Sequence, residues 1–452
     1  MTLADFVVQA APPAAARAAA ARAILDTVGV TLAGASEPAA RILRQVVVPD
    51  ATGPCIVLGT DARGRAPAAA LANGTAAHAL DFDDMCFVSL AHPSAPLVSA
   101  ALAAAETVGA SGPALLDAYV VGFEIEGRLG RTMNPLHYER GWHCTSTLGT
   151  IGAAAAAARL LRLDTTGAGH ALAIAASEAS GLKENFGTMV KPLHAGLAAR
   201  NGVLAALLAQ AGMTASADAI HGAQGFLVAL SSRRDGAALD EAAADLGARW
   251  EILDTGITVK LYPSCAATHP MLDVLLDLKR EEGFAGEDVT AIEVGVDAIT
   301  PTVLIHDRPA TGLQAKFSMP FCAAAAAVRG YVGIETFEDP VVHDREIDTV
   351  RARVKMHVDE SLGASAPALT QARVRLSLRD GRVLTRTASG ARGYPERPAS
   401  DRDRAEKFIA CAARAMSESE ATHALEAVLG IDGVEDVRVV TAALARGRVS
   451  IP

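Results

Sequence analysis

Alanine-rich runs of apolar residues at helical spacing most strongly constrain how this chain can fold. Between residues 12 and 250, apolar side chains recur at i, i+3, i+4 and i+7, and short Gly, Pro or Asp segments separate the runs. Alanine has the highest helix propensity, and its small side chain lets helix axes approach closely. The first half therefore predicts a compact bundle, with helices at 14–33, 66–80, 93–108, 113–132, 147–161, 168–181 and 192–212.

After residue 263 the pattern changes, because β-branched residues begin to alternate with polar ones. Asp380-Gly381 divides a run at 372–387, and this dipeptide supplies the positive φ of a tight hairpin turn. The remaining predicted elements are strands at 291–299 and 354–359 and helical runs at 270–280, 320–332 and 404–429.

These patterns predict a mainly α fold with two domains. Residues 1–263 together with 396–452 would form a large all-helical domain, and residues 264–395 a smaller α+β lid domain with an antiparallel sheet. A chain of 452 residues exceeds one ordinary core, which agrees with this division.

Composition excludes several classes of protein. The net charge of −10 provides no basic surface for nucleic acid or anionic lipid. The six cysteines form no C-x-x-C pair, so zinc and iron–sulfur sites lack their usual spacing. Neither a signal peptide nor a run of about 20 apolar residues is present, and we expect a cytoplasmic protein without membrane contact. Serine-hydrolase, P-loop, Rossmann and zincin motifs are also absent.

Four basic residues stand at the starts of predicted helices: His92, His143, Lys191 and His269. A helix N-terminus carries about half a positive charge, so a cation there is favoured only when an anion joins it. Ordinary helix caps are the alternative explanation for each residue singly. Such caps are mostly Ser, Thr, Asp or Asn, whereas Lys has no acceptor for the backbone N–H groups. Four together favour a site for a small carboxylate.

Three carboxylates, Asp81, Asp83 and Asp84, follow the end of a predicted helix, where the helix dipole disfavours them. We predict that Asp81 or Asp84 orients a basic catalytic residue. Two alternatives remain, a metal site and, for Asp83, a solvated loop carboxylate.

The predicted smaller domain contains further candidates for substrate binding. Arg308 and Lys316 could clamp a carboxylate, since Arg in particular binds carboxylates bidentately, although an ordinary pair of surface charges is the alternative. Ser318 precedes a predicted helix there. With Asp84 and Ser264, these residues form the predicted substrate-binding set.

Several separated motifs resemble the MmgE/PrpD family, in the same order and over nearly the whole chain. They are NGTAAHALDFDD, AHPSAP, GWHCTSTLGTIGAAAAAARLL, KPLHAGLAARNGVLAALLAQAGMTA, KLYPSCAATHP and AKFSMPFCAAAA. One departure is Met85-Cys86 after the acidic run, where members acting on tricarboxylates typically have Thr-Trp. This change replaces a hydroxyl donor with less polar side chains at the predicted site.

The resemblance implies a helical domain with a smaller lid domain, a homodimer, and no required metal or organic cofactor. It places the active-site residues in a cleft between the domains, on Asp81, His92, His143, Lys191 and His269. Lys191 and His269 would polarise a substrate carboxylate, His92 or His143 would move the proton, and Asp81 would orient an imidazole.

The chemistry common to this family is proton movement at a carbon next to a carboxylate, on a small di- or tricarboxylic acid. We therefore expect a lyase, either a dehydratase or a decarboxylase, that needs no cofactor. An epimerase of an imino- or hydroxy-diacid is the alternative, because the same histidines can serve either scheme. Non-catalytic carboxylate binding and a metal-dependent hydro-lyase are hypotheses of other classes.

Overall fold

The computed structural model describes residues 1–48, 52–231, 237–362 and 370–445. These residues form two compact units. One comprises Met1–Asn185, Met189–Thr258 and the described residues from Ser400 onward, and the other comprises Phe186–Thr188 and Val259–Ala399. The sequence had predicted the boundaries at 263 and 396.

The first unit is helical apart from one short antiparallel strand pair, β1 (Cys55–Ile56) with β2 (Arg63–Gly64). Its helices up to Thr258 are α1 (Leu3–Gln9), α2 (Ala14–Gly34), α3 (Pro38–Val47), α4 (Ala66–His78), α5 (Ser94–Val108), α6 (Gly112–Met133), α7 (Leu136–Glu139), α8 (Cys144–Leu160), α9 (Thr165–Glu178), α10 (Val190–Gln210), α11 (Phe226–Ser231), α12 (Ala237–Ala243) and α13 (Glu251–Asp254).

Small residues let the central helices of this unit approach closely. Fully buried Ala77, Ala95 and Ala195 pack together, one each from α4, α5 and α10. At Gly196 an added Cβ would lie 2.2 Å from Thr75 Oγ1, so only glycine permits this contact between α4 and α10. The packing brings the end of α4 next to the starts of α5 and α10.

The second unit surrounds one four-stranded sheet. Its elements in chain order are α14 (His269–Glu282), β3 (Val289–Val296), α15 (Gly312–Ala315), α16 (Met319–Arg329), α17 (Asp339–Val342), α18 (Arg345–Arg351), β4 (Val354–Val358), β5 (Ala372–Leu378) and β6 (Val383–Ala388). The strand order is β4-β3-β5-β6. Buried side chains alternate along β5, which places one face of that strand in the core.

Two of the three strand pairs are antiparallel, and β3 with β4 is parallel. The sheet is therefore mixed, whereas the sequence predicted an antiparallel one. The difference arises because helices connect β3 to β4, and such a crossover returns the chain in the same direction. The predicted hairpin is present between β5 and β6, with Gly381 at φ +90°.

After the second unit the chain returns to helix in α19 (Asp401–Ala412), α20 (Glu418–Leu429) and α21 (Arg438–Ala442). The sequence predicted one helical run over 404–429. The structure divides it because Ser417 starts a new helix, where its side chain and that of Glu420 form a capping box.

The mainly α class with a smaller α+β part is confirmed, since 58% of the described residues are helical. Among the described residues, no single helix is both long and apolar enough to cross a membrane. One pair bent by 86°, α2 with α3, reaches the required length and composition when its two parts are taken together. All six cysteines are buried and unpaired with one another.

Candidate active site

The acidic segment adopts an unusual backbone conformation directly after α4. Helix α4 ends at His78, and Asp81 has a φ of +52°, in the left-handed region that non-glycine residues rarely occupy. Asp81, Asp83 and Asp84 are 3%, 0% and 0% exposed. The solvated alternative for Asp83 is therefore wrong, because its side chain is fully buried.

A buried ammonium contacts the first of these carboxylates. Lys191 lies in the first turn of α10, and its Nζ donates to Asp81 Oδ1 at 2.5 Å and to His78 Nε2 at 2.8 Å. An ammonium only donates, so His78 Nε2 accepts and the proton of this imidazole is on Nδ1. That nitrogen is 2.7 Å from Asp83 Oδ2 and donates to it. Asp83, His78 and Lys191 thus form one hydrogen-bonded chain.

His92 completes a compact group with the same two carboxylates. Its Nε2 is 3.7 Å from Asp81 Oδ1, and its Nδ1 is 3.4 Å from Asp83 Oδ2. The imidazole meets that of His78 edge to face, with ring centroids 4.5 Å apart. The backbone N–H of His92 donates to Thr145 Oγ1 at 3.0 Å, which ties the start of α5 to α8.

A second pair of imidazoles lies beside this group. His143 is the residue just before α8, its ring stacks 5.7 Å from that of His78, and its Nδ1 is 3.1 Å from His194 Nδ1. The backbone N–H of His143 donates to Gly181 O at 3.0 Å. Gly181 has φ +127°, and an added Cβ would lie 2.8 Å from Ser146 Cβ, so the position that accepts this hydrogen bond requires glycine.

Burial and neighbouring charges determine which groups of the cluster are charged and which are neutral. Burial alone would raise the pKa of Asp83, but the imidazoles of His78 and His92 outweigh it and hold that pKa well below its usual value. Burial and the nearby Lys191 lower the pKa of His143 well below its usual value, and burial lowers that of His194 to about 4. At neutral pH the cluster thus contains a charged Asp83 and neutral His143 and His194.

Asp84 faces away from this cluster. Its carboxyl accepts from the Ser94 backbone N–H at 3.1 Å and is also bonded to Ser94 Oγ, which lies 2.6 Å from the Tyr119 hydroxyl. Burial raises the pKa of Asp84 to about 8. These contacts favour a role in positioning the start of α5, and substrate binding by Asp84 stays a prediction.

Substituting Asp84 by Asn is expected to change how stability depends on pH. Because the folded pKa of about 8 exceeds the usual 3.8, the native state holds an extra proton between these values. Asp84 therefore costs stability as the pH rises from about 4 to about 8, by about 1.4 kcal/mol per pH unit. In D84N this loss should be absent, which urea unfolding at several pH values measures. Parallel profiles for D84N and wild type, or the same change in the exposed control D240N, would contradict the assignment.

The second unit holds the remaining histidine of the predicted set. His269 is the first residue of α14, is fully buried, and has Nε2 3.2 Å from Ser264 O. Its ring meets that of Tyr262 at 5.1 Å. Ser264 is also fully buried, with Oγ 2.8 Å from Thr268 Oγ1. Substrate binding by His269 and Ser264 stays a prediction.

The two members of the predicted carboxylate clamp lie in different surroundings. Lys316 is buried, and its Nζ donates to Pro263 O at 2.9 Å and lies 4.6 Å from the centre of the Phe337 ring. Arg308 is exposed and lines a surface cavity. Ser318 caps α16 and accepts from Phe321 N at 3.2 Å. Binding of a carboxylate by Arg308 and Lys316 stays a prediction.

Sequence reasoning missed His78 and His194, which belong to the cluster in the first unit. Each carried a usable signal. His194 follows Lys191 by three residues, so both project from the same face of α10. His78 lies near the end of the helix predicted at 66–80, which leads into the acidic run. Neither precedes a helix, and the search for basic residues at helix starts therefore passed over them.

Four side chains of the cluster offer donor atoms within 4.8 Å of one another, namely His78, Asp81, Asp83 and His92. Such a set could hold a metal ion. However, Lys191 Nζ already binds His78 Nε2 and Asp81 Oδ1, two of these donors. A metal would have to displace a buried ammonium from the position between them, so the residues fit a metal poorly.

Comparison with known proteins identifies relatives along most of the chain. The model for the MmgE/PrpD N-terminal domain matches residues 1–237, and that for the MmgE/PrpD C-terminal domain matches residues 262–432. Cis-aconitate decarboxylase of Homo sapiens is 27% identical, over 94% of this chain and 89% of the human protein. Cis-aconitate decarboxylase of Aspergillus terreus is 26% identical, over 92% and 88% respectively. Cis-aconitate decarboxylase-like protein oryM of Aspergillus oryzae is 28% identical, over 92% and 90%.

Proposed function

Because this chain belongs to the MmgE/PrpD family, we propose that it is a lyase that decarboxylates an unsaturated tricarboxylate of the cis-aconitate type without a cofactor. The observation that carries the proposal is the buried ammonium of Lys191, held between Asp81 and His78 beside three further imidazoles. The relatives named cis-aconitate decarboxylase support this choice of substrate class.

The reaction requires one proton and a place for negative charge. The C–C bond to the carboxylate on the CH₂ group breaks, and CO₂ leaves. Its electron pair forms a new double bond to the CH₂ carbon, while the electrons of the original double bond move to the CH carbon. A proton adds there, so that a trianion and one proton yield a dianion and CO₂. The charge that develops in between is spread onto the carboxylate next to the CH carbon.

Lys191 is proposed to stabilise that developing charge. Lys191 is 4% exposed, and Asp81 and His78 hold its ammonium in place. A fixed cation in a site shielded from water stabilises an oxyanion more strongly than a solvated cation does, and needs no reorganisation during the reaction. The ammonium has three N–H groups and two of them donate to Asp81 and His78, so at most one can face the substrate.

His92 is proposed to donate the proton. The carboxylates of Asp81 and Asp83 lie 3.7 and 3.4 Å from its ring nitrogens, and negative charges at this distance stabilise an imidazolium. His143 serves differently, because its lowered pKa keeps it neutral. A neutral imidazole at the start of α8 orients a substrate carboxylate through a hydrogen bond rather than supplying the proton.

A substrate panel in D₂O followed by proton NMR tests the proposal. We expect cis-aconitate to be consumed with release of CO₂, with deuterium at the carbon that gains the proton and new signals from a terminal CH₂ group. Turnover should survive EDTA, since Lys191 occupies the position that a metal would need. The panel also contains citrate-like, hydroxy-diacid and imino-diacid compounds.

Other results would overturn this assignment in favour of named alternatives. Elimination of water from a hydroxy acid would identify a hydro-lyase, and loss of turnover in EDTA a metal-dependent one. Exchange of an α-proton without net conversion would identify an epimerase. Absence of exchange in every bound acid would indicate a non-catalytic carboxylate-binding protein.

A further inference from the structure

Phe82 separates the two carboxylates of the candidate site that contact Lys191 and His78. It is the residue between Asp81 and Asp83, so any rotation of its backbone would move both side chains. The backbone just before it has the positive φ of Asp81. A conformation of this kind persists only where surrounding contacts restrain it.

A lysine 325 residues further along the chain supplies such a restraint. Lys407 lies on α19, and its Nζ donates to Phe82 O at 2.8 Å. The same ammonium lies 4.1 Å from the centre of the Phe82 ring, within range of a cation–π interaction. Lys407 thus contacts both the backbone and the side chain of Phe82.

Lys407 is itself held from the opposite side. Its Nζ is 2.7 Å from Asp26 Oδ1 on α2, and the two side chains are 5% and 1% exposed. In an ion pair so shielded from water, loss of either partner would leave a buried charge uncompensated. Residues on two helices, α2 and α19, therefore fix the position of the ammonium that contacts Phe82.

We propose that Lys407, paired with Asp26, is a positioning residue. It keeps the carboxylates of Asp81 and Asp83 in contact with the side chains of Lys191, His78 and His92. Neither Lys407 nor Asp26 contacts the imidazole cluster in the bonds described above, and each acts through Phe82. The inference rests on the proposed function only in naming the reaction that the two carboxylates serve.

The variant K407M tests this role against R159M, a matched control in the same unit. Arg159 also donates to backbone carbonyls, at 3.1 Å to Val7 O and 2.8 Å to Ala10 O, but it lies 16 residues after His143. On a helix this separation is about 24 Å. We expect K407M to lower kcat on cis-aconitate about 10²-fold, as misplacement of catalytic groups by about 1 Å does, with KM within about threefold. R159M should lose stability while its kcat stays within about twofold of wild type.

A crystal structure of K407M provides a readout that needs no substrate. We expect Asp81 to leave the positive-φ region and its carboxylate to move away from Lys191 Nζ. Should K407M fail to fold, D26N is used instead, because it keeps the lysine and removes only its anchor. The same displacement is then expected, with a smaller fall in kcat.

The two proposals fail in distinguishable ways. If wild type converts cis-aconitate, and the folded variant keeps both its kcat and the backbone of Asp81, the positioning role is overturned while the proposed function stands. If wild type converts nothing in the panel, the proposed function is overturned, and the structure of the variant still decides the role of Lys407.

Discussion

Replacing Lys191 by Met is expected to lower kcat on cis-aconitate about 10³-fold, within the range reported for removal of a general acid–base group or an oxyanion donor. The substitution removes the positive charge from a cluster that keeps the carboxylates of Asp81 and Asp83. The developing charge of the reaction would then lie near two carboxylates without the ammonium that offsets them. Steady-state kinetics with cis-aconitate measures the effect on kcat and on KM.

Lys183→Met is the matched control for this experiment. Lys183 is a half-buried lysine of the same unit. Its Nζ donates to the backbone oxygen of Tyr138 at 3.3 Å and lies 3.5 Å from the centre of the Tyr138 ring. We expect K183M to stay within about threefold of wild type. K191M removes the ammonium bonded to the buried Asp81, so circular dichroism must show that the variant is folded. A folded K191M with the kcat of K183M would refute the role of Lys191.

His143→Gln is expected to lower kcat about 10²-fold. His143 is 2% exposed, is the residue just before α8, and its Nδ1 is 3.1 Å from His194 Nδ1. Its lowered pKa keeps it neutral, so its loss should reduce kcat by a similar factor throughout pH 6 to 8. A pH series of kcat for wild type and H143Q measures this.

The matched control for H143Q is His170→Gln. His170 accepts from Ala215 N at 3.1 Å through Nδ1, a bond that the Gln carbonyl can reproduce, and it belongs to the same unit without joining the cluster. H170Q should retain wild-type kcat. If kcat of H143Q instead equalled that of wild type at one end of the pH range, His143 would be the titrating acid. The proposal that His92 donates the proton would then be wrong.

Much of the helical architecture could be predicted, because helical periodicity and capping are local. The runs predicted at 14–33 and 113–132 correspond to α2 and α6, and Asp380-Gly381 marked the turn between β5 and β6. The parallel pairing of β3 with β4 could not be predicted in this way. It depends on how the intervening helices return the chain, which no single segment encodes.

The candidate site shows the same division between local and long-range information. The sequence by itself determined that His92, His143 and Lys191 stand at helix starts, since proline and apolar periodicity mark those starts. Only the tertiary structure decided that Asp83 is buried against His78, that Asp84 accepts a hydrogen bond from Ser94, and that Lys407 donates one to Phe82. These contacts join residues by side-chain packing and charge compensation in a buried space. The close approach of α4 and α10 at Gly196 creates that space, and it exists only when distant segments of the chain have come together.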